Sequence, residues 1–439
     1  MQARFTEGSI FKHISTMTFA STAGLMSLFL VDLVDMYWLS LLGEIAIAAA
    51  VGYAGSILFF TLSLCIGLSI GCSAVVSQAI GRGEKDNAKH LIGNIFLIIV
   101  AITLPVSLLV LLYLADILSL LGAKGDAHFL AYQYLSIILP SLPLLALAMC
   151  SSGVIRAIGQ AKMAMYVTLV GGFVNAVLDP IFIFGLNLGI EGAAVATFIS
   201  RIAMVVYGLY IIIKRYDLLA KPYLIKVMSD AKHYANIAFP AVLTNLSSPI
   251  GVAFVTATIA QFGDSAVAGH AVISKIQPLA FAGLFALSGS IGPIAGQNLG
   301  AQKFDRIMTV LHSSIKFIVL YCLVACIVLA LMAPFFVSMF QAEGDAASLI
   351  YLFCYGLSLI FIFNGITFAT NALFNNIDAP ALATLLNFLK ATVFTVPFVW
   401  VGSQWYGAKG IYVGLTVGAL LVALLGWYLA YKHIKALAS

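Results

Sequence analysis

LIGNIFLIIVAITLPVSLLVLLYLADILSLL, residues Leu91–Leu121, carries no charge before Asp116. An α-helix rises about 1.5 Å per residue, so about 20 apolar residues cross the roughly 30 Å hydrocarbon core of a bilayer. This run is long enough, and eleven others like it stand near 13–41, 46–79, 130–157, 163–185, 192–214, 233–261, 266–297, 307–340, 347–375, 380–402 and 410–431. Each run is continuously apolar, which excludes a transmembrane β-barrel, whose strands alternate over about ten residues. The expected fold is an all-α integral membrane protein of twelve transmembrane helices.

Composition over the 439 residues agrees. Hydrophobic residues make up 62% and charged residues 9%, against about 45–50% and about 25% in soluble globular chains. A soluble core could not bury so much apolar surface, and disorder or nucleic-acid binding needs denser charge. The six cysteines lie in apolar stretches without the paired short spacing of a zinc or redox motif and read as free thiols. No signal-peptide cleavage site closes the first apolar run.

The few charges fix an orientation. With the amino terminus in the cytoplasm, sixteen Lys and Arg fall in cytoplasmic segments, from Arg4 and Lys12 to Lys432 and Lys435, and only Lys124 and Lys409 on the other side. That asymmetry satisfies the positive-inside rule with twelve spans and both termini cytoplasmic.

Shifted by 218–220 residues, the chain repeats its own punctuation. Phe19-Ala20 falls on Phe239-Pro240, Gln78 on Gln297, Gly81 on Gly300, Asp86 on Asp305, Gly125-Asp126 on Gly344-Asp345, and Gly189-x-x-Gly192 on Gly407-x-x-Gly410. Two six-helix, pseudo-symmetric lobes follow, at 1–213 and 233–439, joined by a cytoplasmic linker at 214–232. An even number of spans per half makes the repeats parallel, related by an axis along the membrane normal. Such a pair can rock about a central site, which favours alternating-access transport over a pore or an enzyme.

Three acids lie well inside spans: Asp32 and Asp35 in the first and Asp179 in the fifth. A charge at mid-bilayer costs at least about 2.5–3.5 kcal/mol. Asp32 and Asp35 share a helix face, as do Asn175 and Asp179. Burial and mutual repulsion favour the neutral form of a carboxyl group, so such a cluster can bind and release a proton near neutral pH. A purely structural role, locking the bundle by hydrogen bonds, is the competing reading. Arg201 in the sixth span either neutralises this cluster or faces water as a cavity charge. Lys275 and Lys390, deep in the carboxyl half where no acid lies within the spans, could tune a cavity, and Lys316 is near enough to its helix end to snorkel.

Three stretches carry a family resemblance: LVDLVDMYWLSLLGE (Leu30–Glu44), SQAIGRGEKDNA (Ser77–Ala88) with its echo GQNLGAQKFD (Gly296–Asp305), and NAVLDPIFIFGLNLGIEGAAVAT (Asn175–Thr197). The chain resembles the multidrug and toxic compound extrusion family, and within it the DinF-like prokaryotic branch. The resemblance implies proton-driven antiport of amphipathic or cationic small-molecule drugs across a bacterial cytoplasmic membrane by a monomer in the lipid bilayer. It also implies a proton-coupling network of Asp35, Asp179, Asn175, Tyr134 and Thr197, to which Asp32 is added as a neighbour. Family members usually carry a proline where this chain has Ala20, so either Gly24 supplies the flexibility of the first helix or its straight form is favoured. No cofactor, metal or nucleic acid is expected, and the coupling ion is H+. A sodium-coupled exporter or a lipid-precursor flippase of the same superfamily is the alternative. An intramembrane enzyme is disfavoured, because no Gly-x-Gly-Asp or His-Glu-x-x-His motif is present.

Overall fold

The computed structural model describes the backbone of residues 4–40, 45–340 and 342–438. Within these, the side chains at 27–37, 39–40, 45–46, 48–49, 224, 247–250, 253 and 264 lie outside the described set. Every regular element in the described residues is helical. In order they are α1 (Ile10–Ser40), α2 (Ile45–Gly81), α3 (Lys85–Leu112), α4 (Leu114–Leu120), α5 (Gly125–Ile138), α6 (Leu142–Ala157), α7 (Ala161–Pro180) and α8 (Gly189–Tyr210). The second half follows with α9 (Leu224–Ala260), α10 (Asp264–Ala280), α11 (Ala282–Gly300), α12 (Phe304–Met339), α13 (Gly344–Tyr355), α14 (Ile360–Asn376), α15 (Pro380–Ala391) and α16 (Val396–Ala438).

Several of these join into single crossings. A 3-10 turn, Leu139–Ser141, links α5 to α6, and α10 and α11 meet at a 45° bend. The last helix folds back at Tyr406 and Gly407, where the backbone leaves helical geometry. Its two arms pack closely, with Gly410 against the carbonyl of Gly402, Gly414 against that of Phe398 and Gly418 against that of Phe394. Small residues every fourth position let two membrane helices approach backbone to backbone. Among the described residues eight helical stretches are long and apolar enough to cross a membrane, nine with the bent α10–α11 pair, and with α1 and α9 the order of elements accommodates the twelve crossings expected of an all-α multi-pass membrane protein.

The chain divides into two compact units. The first runs from Ala23 to Val242, and the second takes Arg4–Thr22 and Leu243–Ser439. This division departs from the sequence boundaries at 213 and 233: it assigns the opening residues of α1 to the second unit and the opening of α9 to the first.

In the first unit, one core forms around Cys72, Ile92, Ile95, Val154, Ile212 and Tyr234, and a second around Ala54, Leu114, Leu118, Leu135 and Ile183. Tyr234 is fully buried and donates its hydroxyl to the carbonyl of Leu68 at 2.9 Å. Gly71 meets Ala238 so closely that a Cβ there would lie 2.7 Å from the alanine methyl. The stretch read as a linker is tied down on α3: Lys89 pairs with Asp217, and Asn94 accepts from the amide of Tyr223 at 2.8 Å. Asn94 also donates to Asp230 at 2.6 Å. The hydrogen bond from Lys89, reinforced by its charge, holds the Asp217 carboxyl below the usual range. In the adjoining loop Glu84 is held low first by a hydrogen bond from Asn87 and then by Arg82.

In the second unit the amino-terminal segment is fastened to the loop that echoes the first half's loop. The amide of Phe5 donates to Gln297 at 2.9 Å, and the guanidinium of Arg306 donates to the carbonyls of Phe5, Glu7 and Gly8 at 2.8–3.2 Å. Lys316 places its ammonium 5.3 Å from the centre of the Phe11 ring. Phe281 and Phe361 stack in parallel at 3.8 Å.

The duplication is also visible in backbone conformation. Left-handed residues recur 219 positions apart: Gly83 (φ +79°) with Gln302 (+57°), Gly125 (+55°) with Gly344 (+56°), and Gly159 (+82°) with Asp378 (+59°).

Candidate functional site

The candidate site is built on α7 of the first unit. The last two turns of this helix carry Asn175 and Asp179, both buried, and the Asn175 amide donates to Asp179 Oδ1 at 3.1 Å. Pro180 follows at once. Lacking an N–H, it cannot continue the regular hydrogen-bond ladder, and the chain widens into a π-helical turn, Ile181–Gly185. Such turns are rare and occur often at functional positions. The remainder of the motif closes the return: Asn187 (φ +52°) and Gly189 (φ +54°) take left-handed conformations. Gly192 then packs where a Cβ would stand 2.7 Å from the carbonyl carbon of Phe182. The Asn175–Thr197 motif is thus a buried Asn–Asp pair followed by the turn chemistry that brings α8 back along α7.

Two contacts place α1 beside this helix. Gly24 sits against Met165 and Thr168, where an added Cβ would be 3.1–3.2 Å from their side chains. Further along, Trp38 meets Phe184 edge to face at 6.0 Å. The stretch of α1 between Gly24 and Trp38 therefore runs alongside the stretch of α7 that ends in Asp179. Asp32 and Asp35 belong to that stretch; their side chains lie outside the described residues. α1 is helical throughout, including Ala20 and Gly24.

Tyr134 on α5 is half-buried against the core of Leu135, Leu139, Ile183 and Ile190, and Thr197 on α8 is half-buried, its carbonyl accepting from Ser200 at 2.8 Å. α5 and α7 both pack on α8, which gathers the helices that carry these residues.

Arg201 is half-buried and anchored on the neighbouring helix. Its guanidinium donates to the hydroxyl of Ser141 at 2.8 Å and toward the carbonyl of Ile138 at 3.4 Å. Pro140 and Pro143 explain this: they break the helix at Leu139–Ser141 and free backbone carbonyls, one of which, Leu139, accepts from Ser107 at 2.6 Å. Arg201 thus joins Ser141, which itself donates to the Ile138 carbonyl at 2.6 Å, in satisfying that break, a contact signalled in the sequence only by the two prolines.

In the second unit Lys390 lies in the last turn of α15, and its ammonium donates to Asn364 of α14 at 2.7 Å. Lys275 is exposed. Asn364 escaped the sequence reading, since one amide in an apolar run carries no pattern. Among the described residues no group of three His, Cys, Asp or Glu side chains comes together.

A family model described as MatE matches the chain twice, over residues 21–181 and 240–401. The two matched stretches start 219 residues apart, as the duplication requires. Among curated proteins, an FAD transporter of Shewanella oneidensis is 26% identical over 95% of this chain and 93% of its own length. The multidrug export protein MepA of Staphylococcus aureus is 22% identical over 97% and 95%. Among solved structures, the Vibrio cholerae MATE transporter VcmN superposes with a TM-score of 0.92 at 26% identity, covering 97% of each chain.

Proposed function

Because the chain belongs to the MatE family, we propose that it is a secondary active exporter of small organic molecules, driven by inward proton movement through an acid cluster in its first half. Relatives named as a multidrug export protein and a probable multidrug resistance protein support the export of drugs. The observation that carries the proton reading is the buried Asn175–Asp179 pair on a helix that runs beside the α1 stretch bearing Asp32 and Asp35. Proton binding by Asp35 or Asp179 neutralises a charge that is expensive inside the bilayer, and so biases the two lobes toward one access state. Asn175, Tyr134 and Thr197 orient the acids. The sixteen-to-two distribution of basic residues supports cytoplasmic termini, and the residues at 35, 134, 175, 179 and 197 support placement in the DinF-like branch.

Proteoliposomes with a proton or a sodium gradient imposed separately test this. Drug efflux driven by the proton gradient, and lost in Asp35→Asn and Asp179→Asn proteins that still insert, is the expected result. Efflux that follows sodium alone would transfer the coupling to that ion. Undiminished proton-driven efflux by both variants would sink the mechanism. The relative named FAD transporter makes flavin nucleotides a worthwhile second cargo in the same assay.

A further inference from the structure

Lys390 stands in the middle of the run 380–402, where a charge is expensive. In unit 2 the acids Glu7, Asp264, Asp305, Glu343, Asp345 and Asp378 all fall before or at the start of a helix, outside the span interiors. Among the described residues the ammonium has two neutral partners: the Asn364 amide oxygen at 2.7 Å and the face of Phe368, 5.7 Å from the ring centre. The ammonium has three N–H donors, and Asn364 accepts one. Its place in the last turn of α15 gains from the helix dipole, but that gain is smaller than the penalty of a mid-membrane charge. A helix-capping role therefore leaves the lysine unexplained.

The surroundings suggest what completes it. Phe368 packs against Phe285 of α11 at 5.3 Å, and Phe285 remains 41% exposed. Asn364, having given its oxygen to Lys390, keeps its NH2 group as a donor. An ammonium and an amide that can still donate thus stand beside two aromatic rings, one of them uncovered.

We propose that Lys390, Asn364, Phe368 and Phe285 form a cargo site for an amphipathic organic anion, an aromatic body bearing a phosphate or carboxylate. The anionic group takes the free donors of Lys390 and Asn364, and the aromatic body lies on the phenylalanines. This rests on the transporter reading and adds a cargo class opposite in sign to cationic drugs.

Equilibrium binding of naphthyl phosphate and of naphthol, which differ only in the anion, to full-length protein in phosphatidylcholine nanodiscs tests it. The phosphate is expected to bind about tenfold more tightly than naphthol, as one charge-assisted hydrogen-bonded contact provides. Lys390→Met should abolish the preference, Lys390→Arg should keep it, and Phe368→Ala should weaken both ligands alike. If Lys390→Met fails to fold, Lys390→Gln serves with the same expectation. Equal affinity in the parent, or a preference that survives both neutral variants, would overturn the site. Loss of naphthyl phosphate binding in discs containing phosphatidylglycerol would assign the anion to a lipid headgroup and overturn its role for cargo. Proton-driven export of naphthylmethylammonium is measured separately: its absence would count against the transporter reading while the binding result still decides the site.

Discussion

Asn175 donates its side-chain amide to Asp179 one helical turn away, at 3.1 Å, with both groups buried and Pro180 immediately beyond. Asn175→Ala removes the donor and leaves the acid in place. Hydrogen bonds to charged groups contribute about 1.5–3 kcal/mol, so proton-driven export should fall by about tenfold or more while insertion is retained. Initial efflux rates in proteoliposomes at matched protein content are the check.

Ser141 is the partner that holds Arg201 at the helix break. Ser141→Ala should destabilise the protein by about 1.5–3 kcal/mol, read as a lower midpoint of thermal unfolding in detergent, and Ser141→Thr should restore most of it. An unchanged midpoint in the alanine variant would show that Arg201 is satisfied elsewhere.

Gly192 and Gly55 make a matched pair. A Cβ at Gly192 would stand 2.7–2.9 Å from backbone atoms of Phe182 and Ile183, which cannot rotate away, whereas at Gly55 it would meet nothing within 4 Å. Gly192→Ala should cost about 1–3 kcal/mol through overpacking. Gly55→Ala should be neutral or stabilise by up to about 1 kcal/mol, because alanine is the better helix former. Melting of the two variants side by side distinguishes a packing effect from a general intolerance of substitution.

Gln302 takes a left-handed backbone, φ +57°, in a turn where the first half has Gly83. Such conformations cost non-glycine residues about 1–2 kcal/mol. Part of that gain is offset by the greater freedom of glycine in the unfolded chain, so Gln302→Gly should raise stability by about 0.5–1 kcal/mol. Thermal unfolding is again the measurement, and a loss of stability would mean that the glutamine side chain makes a compensating contact.

Asp217 is held below the usual carboxylate range by Lys89. A carboxyl group with a depressed pKa in the folded state adds stability above its unfolded value, and that stability is lost as pH falls through the folded one. The parent should therefore lose part of its thermal stability on acidification, and Asp217→Asn should lose less over the same range. Asparagine tolerates the left-handed φ of +49° at this position, so the variant isolates the charge. Identical acid profiles for the two proteins would remove the pair from any stabilising role.

The spans and the duplication were legible because both are written in long-range patterns: uninterrupted apolar runs, basic residues on one side, and punctuation repeated after 219 residues. Asn175 and Asp179 were legible for a related reason, since polar groups four apart in an apolar helix share a face. The break at Leu139–Ser141 was not, because Arg201 meets it through one hydroxyl and one backbone carbonyl, which leave no mark beyond two prolines. The assignment of Arg4–Thr22 to the second unit was equally hidden, since Arg306 grips the carbonyls of Phe5, Glu7 and Gly8 and no particular side chains are needed at those positions.

The turns that recur at 219 residues supply an internal ruler. Measured with it, Asp179 of the first half falls on Phe398 of the second, whose carbonyl lies against Gly414 in the α16 hairpin. Lys390 falls on Gly171, where an added Cβ would collide with Met204. An ionisable group inside a span, Asp179 in one half and Lys390 in the other, thus stands at a register that the twin half has given over to tight packing. The two halves keep the same bends but differ in chemistry at these registers, an acid in one and a lysine in the other.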